Sequence, residues 1–150
     1  MSVNAADLAI RKTLHVAAPV ERAWEVFTGR LNDWWPVETH SIAGERVETL
    51  VLEGRAGGRM FERTVDGEEG SWGTVLAWEP PHRLVVSWHV NPTRPGPTEW
   101  EVRFEPEGEG TRVEFEHRGW ERYDDAAEAA GSYDRGWDVV LGSFAELVSR

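Results

Sequence analysis

The sequence predicts an α+β domain in which one curved antiparallel sheet wraps around a long C-terminal helix. Two observations lead to this prediction. In residues 132–150, apolar side chains recur at three- and four-residue steps, which is typical of one face of an α-helix about five turns long. Most of residues 45–118 alternates apolar and polar side chains, as strands do. The functional question is whether the space between sheet and helix is filled or hollow.

The chain up to Pro36 predicts one strand and two short helices. Residues 9–16 alternate in polarity, which predicts an edge strand. Pro19 favours the start of a helix, because its missing N–H costs nothing there. Residues 31–35 predict a short helical turn. Two adjacent tryptophans on a helix point about 100° apart, so we expect Trp35 to face the interior and its neighbour to cover the surface or a pocket mouth.

Six further strands are predicted between residues 45 and 120. Those at 71–79 and 82–90 are apolar on both faces, so we expect them at the centre of the sheet. In the final strand, Val113, Phe115 and His117 fall on the inward face, and His117 is the only polar member of that row. The predicted strands comprise residues 45–53, 59–65, 71–79, 82–90, 99–107 and 111–120.

Two connecting segments bear on access to the interior. Residues 91–98 are rich in proline and glycine, which predicts a mobile rim. Residues 123–131 are acidic and alanine-rich, which favours either a helical turn or a loose connection to the final helix. We expect residues 119–131 to act as a gate, and Gly131 and Gly136 to be positions where the helix starts late or bends.

Composition predicts a single cytoplasmic domain that spans residues 1–150. The chain has no cysteine, no apolar run of membrane-spanning length and no secretory segment at its N-terminus. Its 27 acidic and 16 basic residues give a formal charge of -11. Because phosphate binding requires clustered lysine and arginine, we expect neither nucleic acid nor membrane as a partner.

The nine tryptophans are the unusual feature of the composition, because ordinary usage predicts roughly two. Each buried indole removes a large apolar surface from water and brings an N–H group that requires a partner. Tryptophan therefore suits either a packed core or the wall of a pocket, and the sequence leaves both open. We expect a ligand cavity with His117 as its polar member and these residues in its wall: Trp35, Met60, Trp72, Trp88, Trp100, Phe115, Trp120, Tyr133 and Trp137.

His117 and Glu62 are the candidate catalytic residues. A lone inward histidine is usually a satisfied core residue, but imidazole titrates near neutrality and can also bind a ligand or act as a general acid or base. If Met60 points inward, Glu62 shares its face. A buried carboxylate needs a partner, for which His117, Arg63 and Arg103 are candidates. The five histidines lack metal-ligand spacing, and no phosphate cradle or nucleophile motif is present, so we expect neither a metal nor a cofactor.

Six segments occur in an order shared with a known superfamily. They are PVERAWEVFT from Pro19, DWWP ending at Pro36, GGR at 57–59 with Glu62 after it, WEPPHRLVVSW at 78–88, TRVEFEHRGW at 111–120 and GW at 136–137. In this order they resemble the helix-grip fold of the START-like or SRPBCC superfamily, which also contains the major birch-pollen allergen and polyketide cyclases. Within it, the chain is similar to single-domain proteins related to the C-terminal domain of the heat-shock-protein-90 ATPase activator. The resemblance implies about seven strands around the long helix, with two short helices between strands 1 and 2.

The resemblance also implies a cavity between sheet and helix that holds a small hydrophobic molecule, such as a lipid, sterol or polyketide. Only some members of the superfamily catalyse a reaction, so we rank binding ahead of catalysis. One alternative is a cyclase or hydratase that uses His117 and Glu62. Another is an interaction module whose acidic surface binds a chaperone or another protein. The sequence also leaves open whether the protein forms a homodimer. Chaperone activation is not expected, because 150 residues leave no room for the co-chaperone's additional N-terminal domain.

Overall fold

The computed structural model describes residues 8–91, 93–94 and 96–149. It confirms the predicted α+β helix-grip class, because seven antiparallel strands form one curled sheet and a long C-terminal helix packs against it. The strand order is β1-β7-β6-β5-β4-β3-β2, which places β5 at the centre. The elements are β1 (Ile10–Val16), α1 (Val20–Gly29), α2 (Leu31–Trp34), β2 (Val47–Leu52), β3 (Arg59–Thr64), β4 (Glu69–Glu79), β5 (Arg83–Trp88), β6 (Thr98–Glu107), β7 (Gly110–Arg118) and α3 (Ala126–Val148).

The final helix is longer than predicted. It begins at Ala126 rather than at residue 132, because alanine is the strongest helix former and both Ala129 and Ala130 are buried against the core. Of the two alternatives for residues 123–131, most of the segment is therefore helix, and Gly131 and Gly136 lie inside α3. Residue 150 at the predicted helix end, and residues 92 and 95 of the predicted rim, lie outside the described residues. No helix in the described part of the chain is long and apolar enough to cross a membrane.

Both tryptophans of the α2 segment are buried, which corrects the expectation that only Trp35 would face the interior. Trp34 packs between Phe27 of α1 and Phe144 of α3, with ring centroids 5.1 and 5.3 Å away. Its indole N–H donates to the carbonyl oxygen of Val26 at 2.9 Å. Trp35 instead lies 5.0 Å from the ring of Trp72 on β4. The two indoles are in contact, with ring centroids 5.5 Å apart, so the α2 segment places one against α1 and α3 and the next against β4.

The inner face of the sheet and the apolar face of α3 form one core. As predicted from alternation, β6 and β7 bury Trp100, Val102, Phe104, Val113 and Phe115 on this face. The helix adds Trp137, Val140, Leu141, Phe144 and Val148. Lys12, the chain's single lysine, ties the edge strand β1 to α3 through Asp134 and Asp138, at 2.5 and 2.8 Å.

The outer face of the sheet contains a charged network centred on Glu101. Alternation places this residue outward, but it does not face water, because it is only 6% exposed. Arg83, Arg103 and Arg118 donate to its carboxylate at 2.6, 2.7 and 2.8 Å. Burial would raise the pKa of Glu101, but the hydrogen bonds from the three guanidinium groups outweigh it and lower the pKa to about 2.

Candidate functional site

A cleft of about 200 Å³ lies at one end of the interior, between the sheet, α3 and the loop that joins α2 to β2. Its lining is mostly aromatic and, in the described part of the chain, includes no lysine, arginine, aspartate or glutamate. Nowhere among the described residues do three histidine, aspartate or glutamate side chains gather to hold a metal ion. The lining residues are Trp35, Thr39, His40, Ser41, Trp72, Trp88, Val90, Tyr133, Gly136, Trp137 and Val140.

Four tryptophans from four different elements form the wall of the cleft. The ring of Trp72 lies 5.0 Å from Trp35 and 5.6 Å from Trp88. Trp137 closes the set from α3, with centroids 5.8 Å from Trp35 and 6.0 Å from Trp88. These distances are typical of favourable aromatic pairs, which prefer tilted and edge-to-face arrangements. The cleft is therefore bounded by indole surfaces that already stabilise one another.

The loop at residues 36–44 forms one side of the cleft, and Glu62 of β3 holds it in place. Glu62 is only 1% exposed, and its carboxylate accepts hydrogen bonds from the backbone N–H of Ile42 at 2.7 Å and of Ala43 at 2.8 Å. It also accepts from the indole N–H of Trp72 at 2.7 Å. One buried carboxylate therefore fixes both the loop and a tryptophan of the opposing sheet wall.

These partners differ from the ones that the sequence suggested for Glu62. Arg63 extends from the other face of β3 and pairs with Glu69, and Arg103 belongs to the Glu101 network on the outer face. The sequence was right that a buried carboxylate requires partners. It did not identify them, because two of the three donors are backbone groups of an irregular loop.

Hydrogen bonds within the loop further define its shape. The indole N–H of Trp35 donates to the carbonyl oxygen of His40 at 2.7 Å. The hydroxyl group of Ser41 donates to the carbonyl oxygen of Val37 at 2.5 Å and accepts from the N–H of Gly44 at 2.8 Å. The loop therefore satisfies several of its own polar groups, which favours one conformation in the absence of a ligand.

His40 and Tyr133 are the titratable side chains that line the cleft within the described residues. The Nδ1 atom of His40 lies 2.7 Å from the hydroxyl oxygen of Thr39. The His40 ring also lies against Gly136 of α3, where an added Cβ atom would be 3.7 Å from its Cδ2 atom. The loop and the helix therefore meet at Gly136, at the side of the cleft.

His117 lies in the core, and its two ring nitrogens have protein partners. Its Nδ1 atom accepts from the indole N–H of Trp137 at 2.9 Å, so Nε2 has the proton and donates to the hydroxyl oxygen of Thr98 at 2.7 Å. The residue is 0% exposed. Burial, with a smaller effect of the neighbouring Arg118, lowers the pKa of His117 to about 3. The imidazole is therefore neutral at physiological pH and orients Trp137, which does line the cleft.

The structure divides the predicted cavity residues into two groups. Trp35, Trp72, Trp88, Tyr133 and Trp137 line the cleft. The others are buried elsewhere in the core and do not line it: Met60, Trp100, Phe115, His117 and Trp120. Glu62 acts on the cleft through the loop and Trp72, and it shares no hydrogen bond with His117 among the described residues.

Sequence reasoning did not single out Thr39, His40 and Ser41 as lining residues. Loops have no periodicity, so no pattern shows which of their side chains face inward. One signal was available: Glu62 falls on an inward face, and a buried carboxylate requires donors that a nearby polar loop can supply.

The fold and the cleft together define a helix-grip protein with an aromatic site between its sheet and its long helix. The family described as Activator of Hsp90 ATPase homolog 1-like protein matches residues 17–149. The chain belongs to this family. No curated protein sequence matched the chain.

Solved structures provide further comparisons. An anthrahydroquino-gamma-pyrone synthase, Txn09, complexed with SUM, is 36% identical, with a TM-score of 0.63 over 92% of this chain and 95% of that chain. CalC, a self-sacrificing resistance protein from Micromonospora echinospora, is 26% identical, with a TM-score of 0.71 over 93% of each chain. The Aha1 dimer from Colwellia psychrerythraea is 17% identical, with a TM-score of 0.70 over 94% of this chain and 96% of that chain, which shows a shared fold. This fold is compatible with a ligand in an internal cavity.

Proposed function

We propose that the protein binds a small, flat aromatic molecule in the cleft between the sheet, α3 and the α2–β2 loop. The observation that carries the proposal is the convergence of Trp35, Trp72, Trp88 and Trp137 on one opening. A mostly apolar concave site with a few polar groups is the usual form of a small-molecule site. Planar indole faces favour planar ligands, because stacked and edge-to-face contacts add to the free energy of burial.

The size of the cleft narrows the class of ligand. At about 200 Å³ it lies below the roughly 300–1,000 Å³ of pockets for drug-sized molecules. One or two fused rings fit such a volume, whereas a sterol or a long-chain lipid requires the loop or the helix to move. Among the ligands that the superfamily resemblance implies, small aromatic compounds of polyketide type therefore suit this chain best. The name of Txn09 refers to a pyrone fused to an anthrahydroquinone, which supports an aromatic ligand, but this frame has more rings than the cleft holds unless the loop or the helix moves.

The outer face of the sheet is a less suitable site, although a hollow of about 630 Å³ lies there. Its lining includes Arg118, which already pairs with Glu99 and with Glu116. A ligand that binds this ion network would have to compete with its existing partners, and an apolar ligand would desolvate these ions.

Intrinsic tryptophan fluorescence tests the proposal directly. The protein is titrated with 1-tetralol as a two-ring aromatic, with oleate as a long-chain lipid and with cholesterol as a sterol. We expect a saturable change with 1-tetralol at one molecule per chain, and a weaker or absent change with the other two. If oleate or cholesterol saturates the signal while 1-tetralol does not, the aromatic class is wrong. If none of the three changes the emission, ligand binding in this cleft is refuted.

Catalysis in the same cleft is the second candidate, and it is favoured by the 36% identity with a protein named as a synthase. Here the titratable side chains at the cleft are His40 and Tyr133. His117 is instead hydrogen-bonded to Thr98 and Trp137, and Glu62 to the backbone of the loop and to Trp72. A test substrate is 1-(2-hydroxyphenyl)-1,3-butanedione, whose phenol adds to the distal ketone and loses water to give 2-methylchromone. An enzyme should accelerate this ring closure, and His40→Ala should slow it. A rate equal to that in buffer excludes this activity and leaves binding as the function.

A further inference from the structure

His40 is held at the cleft by hydrogen bonds that leave one of its polar atoms unpaired. Its backbone N–H donates to the carbonyl oxygen of Pro36 at 2.9 Å, and its carbonyl oxygen accepts from the indole N–H of Trp35 at 2.7 Å. The Nδ1 atom of its ring lies 2.7 Å from the hydroxyl oxygen of Thr39. The remaining polar atom, Nε2, has no hydrogen-bond partner among the described residues. The loop therefore fixes this side chain and leaves one ring nitrogen available.

The unpaired nitrogen of His40 is accessible and lies at the edge of the cleft. In the described part of the chain, the ring nitrogens that are both buried and unpaired belong to Trp88 and Trp100, whereas His40 is only half-buried and its Nε2 atom is not enclosed. The Cδ2 and Nε2 atoms form the edge of the ring that faces α3, 3.7 and 3.9 Å from a Cβ atom added to Gly136. Both His40 and Gly136 line the cleft, so Nε2 is open where the loop meets the helix.

We infer that Nε2 of His40 is the hydrogen-bonding group by which the cleft selects its ligand, and that this ligand is an aromatic molecule with a hydroxyl group. The inference rests on the proposed function, since it concerns the same cleft. It adds the chemical group that the ligand presents and the residue that recognises this group. The protein then distinguishes an aromatic alcohol or phenol from the hydrocarbon with the same ring frame.

A hydroxyl group is complementary to Nε2 whichever ring nitrogen of His40 has the proton. If the hydroxyl group of Thr39 donates to Nδ1, then Nε2 has the proton and is a donor; if Nδ1 donates to Thr39, then Nε2 is an acceptor. A hydroxyl group on the ligand can accept in the first case and donate in the second, whereas a ketone or an ether can only accept. An anionic group fits less well, because the described lining has no lysine or arginine as a counter-ion.

The other polar side chains of the cleft are less suited to this role. The hydroxyl groups of Thr39 and Ser41 already have partners within the loop. Tyr133 is the competing candidate, but its ring packs towards the core, with centroids 5.3 Å from His117. The imidazole of His40 is also fixed in advance by the loop, so little conformational entropy is lost when it binds a ligand.

The test compares tetralin with 1-tetralol, which share a two-ring frame and differ by one hydroxyl group. Calorimetric titration gives the ratio of the two affinities for the wild-type protein and for His40→Asn, whose shorter side chain does not reach the position of Nε2. We expect 1-tetralol to bind more tightly than tetralin to the wild-type protein. This preference should fall about threefold to tenfold in His40→Asn, as for one lost hydrogen bond. Using the ratio cancels any change in cleft volume, which affects both ligands.

His15→Asn is the matched control, because it makes the same substitution at a side chain that is 53% exposed and does not line the cleft. The affinity ratio should be the same in this variant as in the wild-type protein. Tyr133→Phe tests the competing hydroxyl group. If Tyr133→Phe loses the preference for 1-tetralol while His40→Asn keeps it, the ligand is recognised by Tyr133 and the inference is overturned.

A second measurement does not depend on the folding of a variant. NMR of the histidine ring nitrogens in 15N-labelled wild-type protein follows the Nε2 signal of His40 directly. Saturating 1-tetralol should shift this signal more than saturating tetralin does, because only the alcohol can form the hydrogen bond. Equal shifts with the two ligands, or an equal affinity ratio in His40→Asn and the wild-type protein, overturn the inference while aromatic binding stands. If neither tetralin nor 1-tetralol binds the wild-type protein, the proposed function fails and the inference fails with it.

Discussion

His117 shows how a single residue can suggest catalysis in the sequence and have a different place in the structure. Alternation along β7 correctly places it on the inner face, where it is the polar member of an apolar row. Its two nitrogens bind Trp137 and Thr98, and its pKa is lowered to about 3. A general base for work near neutral pH needs a pKa near 7, so this geometry favours a role in orienting Trp137.

The lowered pKa of His117 predicts a pH dependence of stability. In the unfolded chain the imidazole takes up a proton as the pH falls through 6.5, whereas in the folded protein it stays neutral down to about pH 3. Stability should therefore fall as the pH drops below 6.5, by at most about 1.4 kcal/mol per pH unit from this group. Urea unfolding of the wild-type protein and His117→Gln at pH 7 and pH 5 measures the effect.

We expect the difference in unfolding free energy between pH 7 and pH 5 to be smaller in His117→Gln than in the wild-type protein. His15→Gln, at a side chain that is 53% exposed, controls for the loss of a histidine as such. An identical pH dependence in the wild-type protein and His117→Gln would show that His117 is protonated equally in both states, contrary to its burial.

At the scale of elements, the conformation of the α2–β2 loop depends on its hydrogen bonds to the carboxylate of Glu62, and a substitution can test this. Glu62→Gln retains one acceptor oxygen but places an NH2 group against the donors of Ile42, Ala43 or Trp72. We expect the unfolding free energy to fall by about 1–3 kcal/mol, the cost of leaving a buried polar group unpaired. Hydrogen exchange at the amides of Ile42 and Ala43 should accelerate more than exchange in the strands of the sheet.

Glu53→Gln is the matched control, because Glu53 also accepts from a backbone N–H, that of Arg59, at a side chain that is 29% exposed. Its effect should stay below about 0.5 kcal/mol, as for most exposed substitutions. Equal exchange rates at Ile42 and Ala43 in Glu62→Gln and the wild-type protein would mean that the loop does not depend on this carboxylate.

We expect the replacement of Gly136 in α3 by alanine to increase the stability of the protein and to weaken ligand binding. Gly136→Ala should stabilise the helix by up to about 1 kcal/mol, since alanine is the better helix former and the new Cβ atom makes only ordinary contacts. The added methyl group lies 3.7 Å from His40 at the side of the cleft, so the affinity for 1-tetralol should decrease. Thermal unfolding and fluorescence titration measure the two effects.

Gly142→Ala separates these effects, because nothing lies within 4 Å of a Cβ atom there and the residue does not line the cleft. This variant should gain similar stability and bind 1-tetralol as the wild-type protein does. Unchanged binding in Gly136→Ala would place the ligand away from the contact between α3 and the loop.

The α2–β2 loop and the helix α3 also show which parts of the structure the sequence could predict. Strands and helices follow local periods, so the sequence identified the sheet, the inward rows of β6 and β7 and the apolar face of α3. The loop at residues 36–44 follows no period, and its position depends on Glu62, some 20 residues away in sequence. His40 and Ser41 were therefore not predicted as lining residues, whereas Trp72, Trp88 and Trp137 lie on periodic elements and were predicted.

At the scale of the whole molecule, the sheet separates two different environments. Its inner face and α3 enclose the aromatic core, and its outer face has a network of arginine and glutamate around Glu101. Removing one partner of a buried ion network leaves the others uncompensated, so Glu101→Gln should destabilise the protein by about 2–4 kcal/mol at pH 7. Glu105→Gln, at a side chain that is 45% exposed, should cost less than about 1 kcal/mol.

The pH dependence of this difference has a definite sign. Because the pKa of Glu101 is lowered from 4.5 to about 2 in the folded protein, its contribution is complete above pH 4.5 and is lost as the pH falls towards 2. Unfolding free energies of the wild-type protein and Glu101→Gln should therefore converge in acid. A constant difference from pH 7 to pH 2.5 would contradict the lowered pKa.

The nine tryptophans allow the most direct test of the central claim, that the cleft between sheet, loop and α3 is a binding site for a small aromatic molecule. The indole N–H signals of 15N-labelled protein are followed by NMR during a titration with 1-indanone. We predict saturable shifts for Trp35, Trp72, Trp88 and Trp137, which line the cleft, and little change for Trp24 and Trp78, which pack against each other elsewhere. Shifts confined to Trp24 and Trp78, or no shift in any of the nine signals, would contradict the account.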